Sequence, residues 1–226
     1  MNFYPSIFRL FSRKRRLIEL VRIVEYQAAL SSYRATQNEE HALQLELLIE
    51  TTKPKNLLAA WHPLIATPFR YNPPHPQARF RPPYGKNIFY GAFIEETSLY
   101  EHAFHFMKQR MHLNIKTETG IRTLFFVDAD NTQSIQIKNA TNCTAIMDKN
   151  DYTASHQFVL SNPKATFIIY PSCRDPYQRE NAAILNIHYL GKNPKWESSI
   201  KFFYDNVKKQ ITWLDYQLHI QWNQVV

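Results

Sequence analysis

Arg79, Tyr90 and Glu101 follow one another at intervals of eleven residues. They sit in Ala78-Arg79-Phe80-Arg81, Ile88-Phe89-Tyr90 and Thr97-Ser98-Leu99-Tyr100-Glu101. Pro68-Phe69-Arg70-Tyr71 precedes them; Tyr170-Pro171-Ser172-Cys173-Arg174-Asp175 and Asn181 come much later. A fixed carboxylate such as Glu101 stabilises positive charge that develops during a reaction. Guanidinium groups such as Arg70 and Arg79 present paired donors to phosphate oxygens. Tyrosine faces, here Tyr71 and Tyr90, attract cations. Ser172 has a hydroxyl but no visible base, so it reads as a binding group and not as an activated nucleophile. Each residue also has a plainer reading. Ser98-x-x-Glu101 is a capping-box pattern that would put Glu101 at a helix N-terminus. Arg79 and Arg81 suit surface stacking, Tyr90 suits a core, and Ser172 suits a turn or helix cap. Asn181 reads as a turn residue and stays outside the candidate set.

The elements that would carry these residues make an α+β chain, helices first and a sheet after. Residues 8–52 read as helical. Leu17, Leu20, Val21, Val24 and Ala28 recur at helical steps, and a second pattern runs from Leu43 to Ile49 until Lys53-Pro54-Lys55 ends it. The stretch from Pro63 to Tyr84 holds seven of the thirteen prolines and reads as a structured loop, not regular helix. Beyond it, strands are expected at 88–93, 123–127, 134–137, 165–170 and 182–189, with a helix from Ser98 to about Met111. A hairpin closes the chain, its arms at 200–204 and 211–222. One domain is expected, with an N-terminal helical segment over 1–60 and a catalytic α+β core over 61–226.

Composition narrows the classes. The 226 residues are 44% hydrophobic and 20% charged, which excludes a disordered chain. No apolar run approaches the ~20 residues of a membrane helix, and charge comes too early at the N-terminus for a signal peptide. Two cysteines, Cys143 and Cys173, make no disulfide framework, so a reducing cytoplasm is expected. The balance of 27 basic and 19 acidic residues gives +8 and favours anionic partners. The cluster Arg13-Lys14-Arg15-Arg16 reads as a solvated face, with a nucleic-acid patch as its rival. Four glycines leave no Rossmann turn and no P-loop. There is no H-E-x-x-H and no G-x-S-x-G. His102 and His105 lack a third ligand at useful spacing, so no metal is expected.

Taken in order, the Arg79, Glu101 and Ser172 motifs resemble the RES domain, a family named for its arginine, glutamate and serine. Val24-Glu25-Tyr26-Gln27, Lys53-Pro54 and Pro68–Tyr71 extend the resemblance to about residues 15–190. It departs at Gln77-Ala78, where a glycine or serine usually precedes the arginine, and at Leu99-Tyr100 before the glutamate. The resemblance implies a mixed β-sheet core like that of the ADP-ribosyltransferase toxins and, as substrate, NAD⁺. It implies phosphorolysis or hydrolysis of NAD⁺, or transfer of ADP-ribose to a protein, and an Xre-like helix-turn-helix antitoxin as partner. On that basis Arg79, Tyr90, Glu101 and Ser172 are the expected catalytic residues. Arg70, Tyr71, Arg79, Tyr90 and Ser172 are expected to hold the dinucleotide. A basic nucleic-acid-binding module and a non-catalytic interaction protein are the alternatives from other classes.

Overall fold

The computed structural model describes residues 17–26, 38–52, 60–70 and 78–226. Arg13–Arg16, Gln27, Lys53-Pro54 and Tyr71 lie outside them. Leu17–Glu25, expected as helix, is a strand (β1) in the interior of a nine-stranded mixed sheet. Its apolar residues do recur at helical steps, yet Leu20 packs on one face of the sheet while Val21 and Ile23 pack on the other. A strand covered on both faces becomes a nearly continuous apolar run, and the two-residue alternation that identifies strands is lost. The second helical pattern forms as expected, as α1 (Glu39–Thr52).

Pro63–Arg70 is helix (α2), although the proline content argues against one. Pro63 occupies the first helical position, where a missing N–H is harmless. Pro68 forfeits one bond of a short helix. His62 secures the start: its Nδ1 accepts from Leu64 N at 3.3 Å and its carbonyl from Ile65 N at 2.9 Å.

Then come β2 (Phe89–Ala92), α3 (Glu95–Arg110), β3 (Thr117–Asp130) and β4 (Ser134–Gln136), followed by the short helices α4 (Cys143–Ile146) and α5 (Thr153–Ser161). Next are β5 (Phe167–Pro171), β6 (Glu180–Ile184), β7 (Trp196–Asp205), β8 (Gln210–Trp213), β9 (Leu218–Gln221) and α6 (Trp222–Val225). The strand expected to reach residue 189 stops at Ile184; Ile187–Tyr189 is a 3-10 turn capped by the Asn186 side chain. The last hairpin's second arm is interrupted by a 3-10 turn at Leu214–Tyr216, which divides β8 from β9.

The sheet runs β4-β5-β6-β2-β1-β3-β7-β8-β9, antiparallel except for β4 beside β5. β1 matches β3 from Leu17↔Asp130 to Glu25↔Arg122, but touches β2 at the single register Val21↔Ala92. α2 covers one face through Leu64, Ile65 and Ala66. On the opposite face α3 packs Leu99, Ala103, Phe106 and Met107 over β1, β3, β7 and β8. Ile146 of α4, Phe158 of α5 and Phe80 cover β5 and β6 on that same face. Among the described residues no helix is long and apolar enough to cross a membrane.

Gly120 lets β3 pass beneath a ring. A Cβ there would lie 2.7 Å from Cε1 of Phe202, which is buried edge-on against Phe106 and Trp213. Gly120→Ala should therefore destabilise the protein by about 1–3 kcal/mol, the usual cost of overpacking a closed core. Thermal denaturation should show the drop in Tm, and an unchanged Tm would mean that the Phe202 ring has room to move.

Candidate active site

A cavity of about 390 Å³ lies where the cover of α3 gives way to that of α4 and α5. Val21–Ile23 of β1, Tyr90–Ala92 of β2 and Asn181 of β6 contribute to its wall, as do Ser98, Glu101, His102 and His105 of α3. Ala78, Arg79, Tyr152, Tyr170, Cys173 and Arg174 complete it.

Glu101 is held from β5 and β6. Ser172 Oγ donates to its Oε1 at 2.6 Å, and Asn181 Nδ2 donates to the same oxygen at 2.7 Å. α3 begins at Glu95 with Ile94 as N-cap and no side-chain cap. Ser98 and Glu101 are therefore inside the helix, and the capping-box reading is excluded. Ser172 is 1% exposed, and its Oγ also accepts from the backbone N–H groups of Arg174 at 3.1 Å and Asp175 at 2.9 Å. Its hydroxyl is thus directed at the carboxylate.

The loop that presents Ser172 is tied to the start of α3. Thr97 Oγ1 donates to Asp175 Oδ2 at 2.6 Å, and Arg179 Nε donates to the same oxygen at 2.5 Å. Burial works to raise the Asp175 pKa, but the bonds from Arg179 and Thr97 overcome it and keep the carboxyl below its ordinary range. This clamp fixes the spacing between the serine loop and α3.

Arg79 and Phe80 occupy the centre of a tight turn closed by Arg81 N donating to Ala78 O at 2.9 Å. Phe80 adopts a φ of 62°, strained for a bulky residue, and its fully buried ring lies edge-on to Tyr170. Arg79 donates to the carbonyls of Ile146 and Asp148, both at 2.7 Å, and lies 5.0 Å over the Tyr152 ring. Tyr90 OH donates to the Arg79 carbonyl, and burial pushes the phenol pKa well up, so it stays protonated.

Of the expected residues, the structure brings Arg79, Tyr90, Glu101 and Ser172 together. Arg70 ends α2, is not among the cavity-lining residues, and has a buried Nε without a partner among the described residues. Tyr71 lies outside the described residues. The structure also adds residues that the sequence reading missed. Arg22 of β1 lines the cavity, lies 4.7 Å over the Phe89 ring and donates to Tyr90 O at 3.4 Å. It has no carboxylate partner among the described residues, and burial pulls its guanidinium down to about 10. Arg174 donates to Val225 O at 3.2 Å and Lys149 O at 2.8 Å and stacks 3.5 Å over the Phe104 ring. For Arg22 the available signal was Leu20-Val21-Arg22-Ile23-Val24, a β-branched run interrupted by one charge. No group of three or more His, Cys, Asp or Glu able to hold a metal ion occurs among the described residues.

The family model described as the RES domain matches residues 56–202. That span is more than half of the chain and contains every cavity residue except those of β1. It bears out the resemblance read from the Arg79, Glu101 and Ser172 motifs. No curated protein matches the chain.

Ser172→Ala would remove a donor from Glu101 and the shared acceptor of two buried N–H groups. Unmatched buried polar groups cost about 1–3 kcal/mol, so the urea unfolding midpoint should fall with the slope unchanged. A midpoint equal to that of the unsubstituted protein would show that Ser172 does not hold this loop.

Proposed function

Because the chain belongs to the RES domain family, a family of NAD-acting toxins, we propose that it cleaves the nicotinamide–ribose bond of NAD⁺. One observation carries the reading: a carboxylate fixed by two side-chain donors faces a cavity whose other charged groups are arginines. As the bond breaks, its electron pair leaves with nicotinamide and neutralises the ring nitrogen. Positive charge builds on the ribose, as in glycoside hydrolysis. Glu101 interacts more strongly with that charge than with the ground state, which is the condition for lowering the barrier. Oxygen of phosphate, water or a protein side chain then bonds to the ribose carbon and releases its proton to solvent.

The rest of the wall suits the same substrate. Arg22, which has no carboxylate partner among the described residues, brings a cation to the cavity, where a pyrophosphate would supply negative charge. Arg79 and Arg174 add positive charge, although each guanidinium is braced by main-chain carbonyls. Tyr90, Tyr152 and Tyr170 supply aromatic surface for a cationic ring. A cavity of about 390 Å³ is in the range of small-molecule sites.

Incubating the protein with NAD⁺ should release nicotinamide. Comparing products with and without inorganic phosphate identifies the acceptor. Glu101→Gln keeps an oxygen for Ser172 and Asn181 but removes the charge, so the fold should persist while turnover falls by about two to three orders of magnitude. Wild-type turnover in Glu101→Gln would overturn the reading.

A further inference from the structure

Arg174 is 5% exposed, yet it belongs to the cavity wall, and its guanidinium is clasped from two sides. Nη2 donates to Lys149 O, in the loop between α4 and α5, at 2.8 Å. Nη1 donates to Val225 O of α6 at 3.2 Å. The group lies 3.5 Å over the ring of Phe104. Phe104 in turn stacks on Trp222 of α6, with centroids 5.5 Å apart and planes 6° from parallel. α6 therefore reaches Arg174 twice, through the Val225 carbonyl and through Trp222 by way of Phe104. It is itself fixed: Trp222 N donates to Lys209 O at 2.9 Å, in the turn between β7 and β8, and Val225 is fully buried. Lys149 closes the clasp by donating through Nζ to the Val226 carbonyl.

The clasp uses two of the five guanidinium N–H groups and supplies no negative charge. Lys108 lies 5.6 Å over the same Phe104 ring, so positive charge gathers there. A buried cation without a counter-charge is costly. An anion in the adjoining cavity offsets that cost, and phosphate oxygens suit the N–H groups that remain. Position then identifies the anion. Phe104 follows Glu101 by three residues on α3, and residues so spaced are neighbours, with Cβ atoms about 5–6 Å apart. The backbone of Arg174 also belongs to the serine loop: Ser172 Oγ accepts from Arg174 N at 3.1 Å and donates to Glu101 at 2.6 Å. A group held over Phe104 is thus next to the place where Glu101 meets the ribose. In NAD⁺ the group one methylene away from that ribose is a phosphate.

Resting on the reading of NAD⁺ cleavage, we propose that Arg174 holds the phosphate attached to the nicotinamide-bearing ribose, and that Trp222 is the residue that positions Arg174 for it. Trp222 backs the ring on which the guanidinium lies, and it starts the helix whose Val225 carbonyl orients Nη1. It touches no part of the cavity itself.

Three substrates that share the scissile bond test this: NAD⁺, nicotinamide mononucleotide, which keeps the phosphate, and nicotinamide riboside, which lacks it. The wild type should prefer the mononucleotide to the riboside by at least about tenfold in kcat/KM, the usual worth of a charged hydrogen bond. Arg174→Lys keeps the charge but loses the two-pronged contact, so that preference should fall toward one. Trp222→Ala should lower the preference similarly, by raising KM for NAD⁺ and the mononucleotide while kcat changes less than about twofold. Trp222→Phe should restore it, because a ring again backs Phe104. Arg174→Lys combined with Trp222→Ala should lower it no further, since residues that act through one contact are not additive. Damage to packing alone would instead slow all three substrates equally and add to the loss in Arg174→Lys. That pattern, or NAD⁺ turnover with no preference for the mononucleotide over the riboside, would overturn this proposal alone. Consumption of none of the three would overturn the NAD⁺ reading and this inference with it.

Discussion

Between β1 and β2 the sheet is joined at one register, Val21 with Ala92, and the whole site depends on that lapse in pairing. A continuous ladder would close the strands against each other; here the gap helps form the cavity wall. Arg22 bridges the lapse by donating to the carbonyl of Tyr90 on the neighbouring strand. Such a carbonyl needs a partner once the ladder ends, since buried main-chain groups are costly to leave unmatched. The strands remain close despite the missing bonds. A Cβ at Gly91 would stand 3.2 Å from both Leu20 Cβ and Phe89 Cε1. Proximity with little pairing is the condition that places Arg22 beside Tyr90.

Main-chain carbonyls carry much of the electrostatic burden. Arg79 and Arg174 are each held by two of them, so among the described residues their guanidiniums are oriented without a neutralising carboxylate. Asp175, the acidic side chain within the serine loop, is engaged by Arg179 and Thr97. Glu101 consequently meets positive surroundings while being fixed by the neutral donors Ser172 and Asn181. A neutral hydrogen bond positions a carboxylate without cancelling its charge, whereas an arginine in the same place would do both.

The legible parts of the sequence were those in which local pattern and tertiary position agree. α3 forms where the helical stretch after residue 98 was expected, although it starts three residues earlier because Glu95 and Glu96 suit a first turn. The strands on either side of Ser172 were visible in the apolar stretches 165–170 and 182–185. Glu101, Ser172 and Arg79 were legible through ordered motifs that sit together in the cavity region. β1 was not legible, since burial on both faces imitates a helical repeat, and with it Arg22 was hidden. Asn181 looked like a turn residue because asparagine is common in turns; its role depends on Tyr170 and Asn181 being paired across β5 and β6, a contact no local window contains. His102 and His105 have the spacing of a ligand pair in the sequence, but His102 Nε2 accepts from Arg122, twenty residues away, a contact no local window contains.

The positions of Arg22 and of the carbonyl that braces Arg174 have a consequence for biosynthesis. Arg22 is on the first described strand, and the bracing carbonyl is that of Val225 in the last helix. β1 must wait for β3 to complete its ladder, and β3 in turn pairs with β7. Long-range pairing of this sort forms late, after the entropy of closing large loops has been overcome. A chain still emerging from the ribosome therefore carries Glu101 well before it carries the framework that gives Glu101 its surroundings. The surroundings of Glu101 are thus among the last features to be completed, and a partly made chain lacks them.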